Sequence, residues 1–297
     1  MMRLAVLGNL SKREIASVVP QWLAWLKSRA VLHVADDLAA FLHLPEGYDT
    51  VPRQSITQDC DMLITLGGDG TILTTAAIAA RNRVPILGVK FGGLGFLAEV
   101  AADEFIPVME RILAGDYVVH ERMALQALAG SMAQPIVALN DVVLDKGKQS
   151  RVIRLKVTIN GEFLNTYIAD GVIVATPTGS TAYSLAAGGP ILTPELQAML
   201  ITPICPHSLS ARPVVVPEAS TIVIEHGVRQ DEVSISADGQ FICLLAHEQR
   251  LEVRQADFCI RLVRIRSPQA ASFYDTLRSK LHWGEDVRHE NKSSARE

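Results

Sequence analysis

From Arg3 to about Asp116 the chain alternates short apolar runs with amphipathic stretches: LAVLG, a segment around Trp22 to Leu26, VLHVA, DMLITL, TILTTAAIAA, VPILGV and EFIPVMERILAG. Strand-helix alternation of this kind predicts a mainly parallel, doubly wound sheet. Beyond Tyr117 the hydrophobic period shortens to that of strands. Leu155, Val157 and Ile159 share one face while Lys156 and Thr158 take the other. Asn160-Gly161 then closes a hairpin into EFLNTYIA, since both residues tolerate the positive φ of a two-residue turn. Further strands are expected at 172–176, 213–217, 220–226, 233–237, 240–246 and 251–265, with one helix near 181–187. The pattern gives an α/β domain over residues 1–117, a mainly β domain over 118–266, and a terminal segment over 267–297. Packing of that segment back onto the first domain is left open, and its polar end, VRHENKSSARE, is expected to fray.

At 297 residues, 48% of them hydrophobic, the chain has ample apolar surface for such a core. The net charge of -4, from 28 basic and 32 acidic residues, supplies no global field for nucleic acid or an anionic membrane. Any phosphate must therefore be held locally. Cys60, Cys205, Cys243 and Cys259 form no C-x-x-C pair, so neither a disulfide framework nor a zinc knuckle is expected, and no protein metal site is assigned. The apolar run in MMRLAVLGNL is too short for a signal sequence and no stretch is apolar for long enough to span a bilayer, so the expected location is the cytoplasm.

The sharpest local signal is Gly67-Gly68-Asp69-Gly70-Thr71, which follows an apolar strand and opens a helix. Such a junction aims backbone N–H groups and the positive helix end at one spot, and glycines let phosphate oxygens approach the backbone. A triphosphate suits this cradle, with Thr71 capping the helix or bonding an oxygen. Asp69 would repel phosphate there unless it serves an attacking hydroxyl as base or orienter; the alternative is a turn aspartate that caps the following helix. No G-K-[ST] follows, so this is not a Walker A loop.

Three further stretches carry polar groups in unusual places. The run from Gly88 to Leu97, GVKFGGLGFL, contains Gly93-x-Gly95-x-x-Ala98, yet it lies too late in the chain for a Rossmann fingerprint and leads into AEVAADE. It is either a ligand loop or a close-packing glycine loop. Asn140-Asp141 interrupts the apolar run from IVAL to VVL, where a continuous strand is expected, and reads as a ligand contact, a turn or a satisfied core pair. From Asp170 the chain reads DGVIVATPTGSTAYS and then GGP, a buried strand running into a loop dense in hydroxyls. Helix capping would explain two of these hydroxyls, not five. Asp238-Gly239 has the composition of a hairpin turn, and His207 and Arg212 are equally well explained as loop residues.

GGDGT resembles the signature shared by NAD kinases, lipid kinases and phosphofructokinases. TPTGSTAYS after Asp170-Gly171 resembles the NAD kinase family almost residue for residue, the segment ending LGFL is similar to that family's too, and the matching motifs follow one another in unbroken order over roughly residues 60 to 265, the resemblance being weak before residue 60. The resemblance implies transfer of the γ-phosphoryl group of ATP, with Mg2+ or another divalent cation, to the 2′-hydroxyl of the adenosine ribose of NAD. It implies Asp69 as the catalytic residue and Gly67, Gly68, Gly70 and Thr71 as phosphate contacts. NAD contacts would come from Gly70, Phe96, Asn140, Asp141, Asp170, Thr178, Thr181, Ala182, Tyr183 and Asp238. Within that set Asp170 and Ala182 would hold the nicotinamide carboxamide, and Asn140 and Thr178 the adenine. A homodimer or homotetramer, with no nucleic-acid or membrane partner, is implied as well. Lys90, Asp141 and Ala186 depart from the family pattern, the last two standing where Glu and Ser are commoner. The remaining alternatives are a lipid kinase with an apolar cleft and a non-catalytic NAD sensor.

Overall fold

The strands Ile86–Lys90, Met62–Gly67, Arg3–Gly8, Val31–Ala35 and Asp49–Val51 lie side by side in that order and all parallel. They belong to a computed structural model that describes residues 1–93, 95–130, 132–148, 151–227, 233–247, 249–266 and 272–283. Helices Ile15–Lys27, Asp36–Phe41, Asp69–Arg81 and Phe105–Leu113 connect or follow these strands. A sheet covered on both faces needs strands that are apolar throughout, and Leu4 to Leu7 and Met62 to Leu66 are all buried. Trp22 stacks on Phe105, with ring centroids 4.2 Å apart, and so locks the first helix to the helix Phe105–Leu113.

The second half builds an antiparallel sheet of six strands in the order Val214–Pro217, Ala198–Ile204, Gly171–Ala175, Asp141–Asp145, Val233–Ala237 and Gln240–Leu245. One face packs on the antiparallel end of the larger sheet through Val142, Leu144, Val172, Val174 and Ile201 against Leu125, Leu155, Val157, Ile224 and Val253. Asn160 and Gly161 have φ of 51° and 84°, and Asp238 and Gly239 have 49° and 77°, so both expected hairpin turns form.

Three differences from the sequence pattern bear on the site. The strand Ala198–Ile204 was not expected: AMLITPI is buried at every position, has no alternation to read and contains a proline. The strand Arg250–Arg264 serves both halves of the chain. It pairs antiparallel with Val118–Ala129 and Ile222–His226, then meets the parallel sheet at Leu262 opposite Ile86, so that Ile260, Leu262 and Val263 enter the first core. The continuous strand expected through Asn140 is two strands: Ile136–Ala138 belongs to the larger sheet and Asp141–Asp145 to the smaller. Leu139 and Asn140 make the crossing, which places polar backbone at the junction of the two halves.

The last helix among the described residues, Phe273–Leu281, begins with a capping box in which Ser272 and Asp275 satisfy each other's backbone N–H groups. Its Phe273 ring lies 6.3 Å from that of Phe96, and Leu277 is buried. The polar end VRHENKSSARE lies outside the described residues. Among the described residues no helix is long and apolar enough to cross a membrane.

Candidate active site

The strand Met62–Gly67 ends where the glycine turn begins, and the helix starts at Asp69 with Gly68 as N-cap and no side-chain cap. Neither Asp69 nor Thr71 caps this helix, contrary to one reading of each. The Asp69 carboxylate instead accepts three backbone N–H groups from the second glycine loop: Oδ2 from Phe96 at 2.7 Å, and Oδ1 from Leu97 at 3.1 Å and Ala98 at 2.9 Å. Three donors fix the carboxylate and still leave Oδ2 a lone pair for one more hydrogen bond. This grip requires Gly95, since a Cβ there would stand 2.1 Å from Asp69 Oδ1.

The other glycines divide by role. A Cβ at Gly67 would come within 2.1 Å of Thr71 Oγ1, and at Gly88 within 2.6 Å of Ile72 Cδ1, so these two permit close packing. Gly68 and Gly70 face open space. Among the described residues the N–H groups of Asp69 and Gly70 have no acceptor, whereas Thr71 and Ile72 donate to the Gly68 carbonyl. Open N–H groups at a helix start favour an anion.

The hydroxyl-rich loop is tied to the crossing at Asn140. Thr176 Oγ1 donates to the Leu139 carbonyl at 2.6 Å, and the Thr176 N–H donates to the Asn140 carbonyl at 2.8 Å. Gly179 lies so close that a Cβ would stand 2.0 Å from the Asn140 oxygen. Three hydroxyls of the loop, on Thr176, Ser180 and Ser184, are buried in internal hydrogen bonds, one more than capping was expected to use. Thr181 donates to the Thr178 carbonyl at 3.2 Å.

Two cavities meet at the glycine turn. One, of about 420 Å³, is lined by Asp69, Phe96, Leu97, Asn140, Thr178, Thr181, Ala182, Lys280 and Leu281. The other, of about 290 Å³, is lined by Gly8, Asn9, Leu10, Arg53, Gly70, Thr71 and Thr74. Consecutive residues of one turn thus face different spaces, Asp69 the first and Gly70 and Thr71 the second.

Two family models match the chain in sequence: the ATP-NAD kinase N-terminal domain over residues 4–117 and the ATP-NAD kinase C-terminal domain over residues 139–265. The chain belongs to the ATP-NAD kinase family. It is 40% identical over 290 residues to an NAD kinase of Geobacter sp. (strain M21), covering 96% of this chain and 100% of that one. An NAD kinase of Desulforamulus reducens is 40% identical over 277 residues, 92% of this chain and 94% of its own. The crystal structure of yeast NADH kinase complexed with NADH superposes with a TM-score of 0.86 at 30% identity, covering 97% of this chain and 90% of that one. An Archaeoglobus fulgidus NAD kinase in complex with ATP shares the fold, with a TM-score of 0.70 at 22% identity over 94% of this chain and 99% of that one. The activity is accordingly that of an NAD kinase, a phosphotransferase.

Not every expected site residue of the kinase lines the cavity that holds Asp69. Asp238 was expected to face the ligand, but its carboxylate accepts the N–H groups of Leu139 at 2.8 Å, Asn140 at 2.7 Å and Asp141 at 3.2 Å. A buried carboxylate must find donors, and this one finds them in the exposed backbone of the crossing. Burial raises its pKa, and those three N–H groups oppose the rise. Asp141 is 4% exposed, and its carboxyl is pushed up to about 7 by burial first and then by the charge of Asp238.

Asp170 stands at the start of the strand Gly171–Ala175, and its charge reaches Tyr183, the neighbour of Ala182, while Ala182 itself lines the cavity of Asp69. Lys146 pairs with Asp170 at 2.8 Å. Tyr183 is 46% exposed, and burial of its remainder followed by the charges of Asp145, Asp170 and Asp141 raises its phenol pKa. His207 and Arg212 are exposed loop residues, Arg212 donating to the Leu209 and Ala211 carbonyls. Lys280 and Leu281 were not anticipated as lining residues. Nothing in TLRSKL distinguishes a site cation from an ordinary helix-surface lysine.

Proposed function

We propose that Asp69 is the residue on which phosphoryl transfer turns, with the dinucleotide in the cavity beside Asn140, Thr178, Thr181 and Ala182 and the ATP phosphates on the side of Gly68, Gly70 and Thr71. The observation that carries this reading is that one turn contributes the Asp69 carboxylate to one cavity and, at Gly70, the start of a helix with an open N–H to the other. The 2′-hydroxyl would give its proton to Asp69 Oδ2 as its oxygen bonds the γ-phosphorus, and the bond from that phosphorus to the β,γ-bridging oxygen would break to release ADP. Phosphoryl transfer of this kind needs mostly positioning and charge compensation from the protein. Among the described residues no cluster of three or more acidic, His or Cys side chains is formed that could cage a metal. A hard divalent cation such as Mg2+ suits phosphate oxygens and water, so it would enter with ATP and neutralise the phosphate charge.

Asn140 and Thr178 would read the adenosine, Asp141 its ribose, and Phe96 would close the wall above them. Asp170 and Tyr183 would hold the far, nicotinamide end along the outer face of the six-stranded sheet. That face also exposes Phe241 and Leu244, at 64% and 48%, in register with Ser236 and Ser234. An apolar face of this kind favours a homodimer or homotetramer. The four thiols are free, which suits a reducing cytoplasm. Asn140, Thr178 and Thr181 give the Asp69 cavity hydrogen-bonding side chains that suit a nucleotide better than a lipid acceptor.

The deciding experiment incubates the purified protein with NAD and ATP, with Mg2+ and with chelator, and assays NADP. Wild type should form NADP only with the cation present. Asp69→Asn should abolish turnover while NAD affinity stays within about tenfold, because the amide keeps its size but cannot take the proton. Near-normal turnover by Asp69→Asn would remove this residue from the catalytic role.

A further inference from the structure

The helix Phe273–Leu281 supplies the acceptor cavity with a positive charge that no other described lining residue provides. Lys280 lines the cavity together with Asp69, Asn140, Thr178 and Thr181, and among the described residues it is the one cation of the lining. Among the described residues it forms no ion pair and no hydrogen bond, unlike Arg278 of the same helix, which pairs with Asp275. The helix is held in place by its capping box, by buried Leu277 and by Phe273 against Phe96. Phe96 is also one of the three residues whose N–H groups grip Asp69. The last described helix therefore leans on the loop that orients the Asp69 carboxylate and brings Lys280 to the wall of the same cavity.

A dinucleotide brings two negative charges on its diphosphate into a cavity where, among the described lining residues, Asp69 and Lys280 are the charged ones. Without a cation nearby, like charges would oppose binding in a partly desolvated site. We infer that Lys280 binds the diphosphate of the acceptor dinucleotide, so that the C-terminal helix forms one wall of the acceptor site. The inference rests on the assignment of this cavity to NAD. Lysine suits the task because a flexible stem lets a point charge follow phosphate oxygens.

The test uses the full chain carrying Lys280→Gln and measures binding of NAD, of ADP-ribose and of adenosine by calorimetry at several salt concentrations. The variant should bind NAD and ADP-ribose about fivefold more weakly and show a shallower salt dependence, as loss of one partly exposed phosphate contact predicts. Adenosine, which lacks the diphosphate, should bind both proteins alike. Lys280→Arg should restore most of the lost affinity. Unchanged NAD affinity in Lys280→Gln would overturn the inference, and so would an equal loss for adenosine, which would mark a general disturbance of the pocket. A wild-type protein that makes no NADP would instead overturn the assignment of the cavity. Melting temperature serves as the control, and it should not move because the side chain is exposed.

Discussion

Replacing Asp141 by Asn should stabilise the ligand-free kinase, and more so at higher pH. Asp141 is buried beside Asp238, and its carboxyl is raised to about 7. In the unfolded chain an aspartate titrates near about 4. The folded protein thus binds this proton more tightly, and the stability it confers is fully present below about pH 4 and is lost as pH rises through about 7. The gap corresponds to about 4 kcal/mol in all, most of which falls between about pH 5 and pH 8. The amide of Asn carries no charge at either pH and removes the repulsion from Asp238. Urea unfolding without nucleotide at the two pH values, with the slope on denaturant unchanged, reads the difference directly. Asp141→Asn should gain about 2–3 kcal/mol more over wild type at pH 8 than at pH 5. The same variant should show a raised KM for NAD, since the ribose contact is weakened. A stability difference independent of pH would refute the reasoning.

Gly95→Ala should lower turnover about 100-fold, because the added Cβ must displace Asp69 Oδ1 and misplaced reacting groups lose rate steeply. Gly93→Ala is the control: its Cβ would meet nothing within 4 Å, and kinetics close to wild type are expected. Tyr183→Ala should leave the melting temperature nearly unchanged, since the ring is 46% exposed, and weaken NAD by about 1–3 kcal/mol through loss of a stacking face. An unchanged KM with a lowered melting temperature would show that Tyr183 is structural. Asn140→Ala should raise KM for NAD by the equivalent of about 1–3 kcal/mol, and a rise in KM for ATP instead would reverse the assignment of the two cavities.

Where chemistry depends on a few neighbouring residues, it could be read from the sequence. The glycine turn at a strand-to-helix junction, the Asn160-Gly161 and Asp238-Gly239 hairpins and the loop after Ala175 are local, because positive φ, open N–H groups and hydrophobic period are set within a turn or two of chain. The strand Ala198–Ile204 escaped for the converse reason: a strand buried on both faces has no period to show.

Only the tertiary structure decided which partner each polar group found. Asp69 turned to the N–H groups of residues 96 to 98 rather than to its own helix, and Asp238 took the N–H groups of Leu139, Asn140 and Asp141 across the fold. Nothing near Lys280 in sequence places it beside Asp69, and the strand Arg250–Arg264 carries no mark that it serves two cores. The physical reason is the same throughout. Local propensity settles the shape of each segment, whereas a buried donor or acceptor must be satisfied by whatever the folded chain brings within reach, and that is a property of packing between segments far apart in sequence.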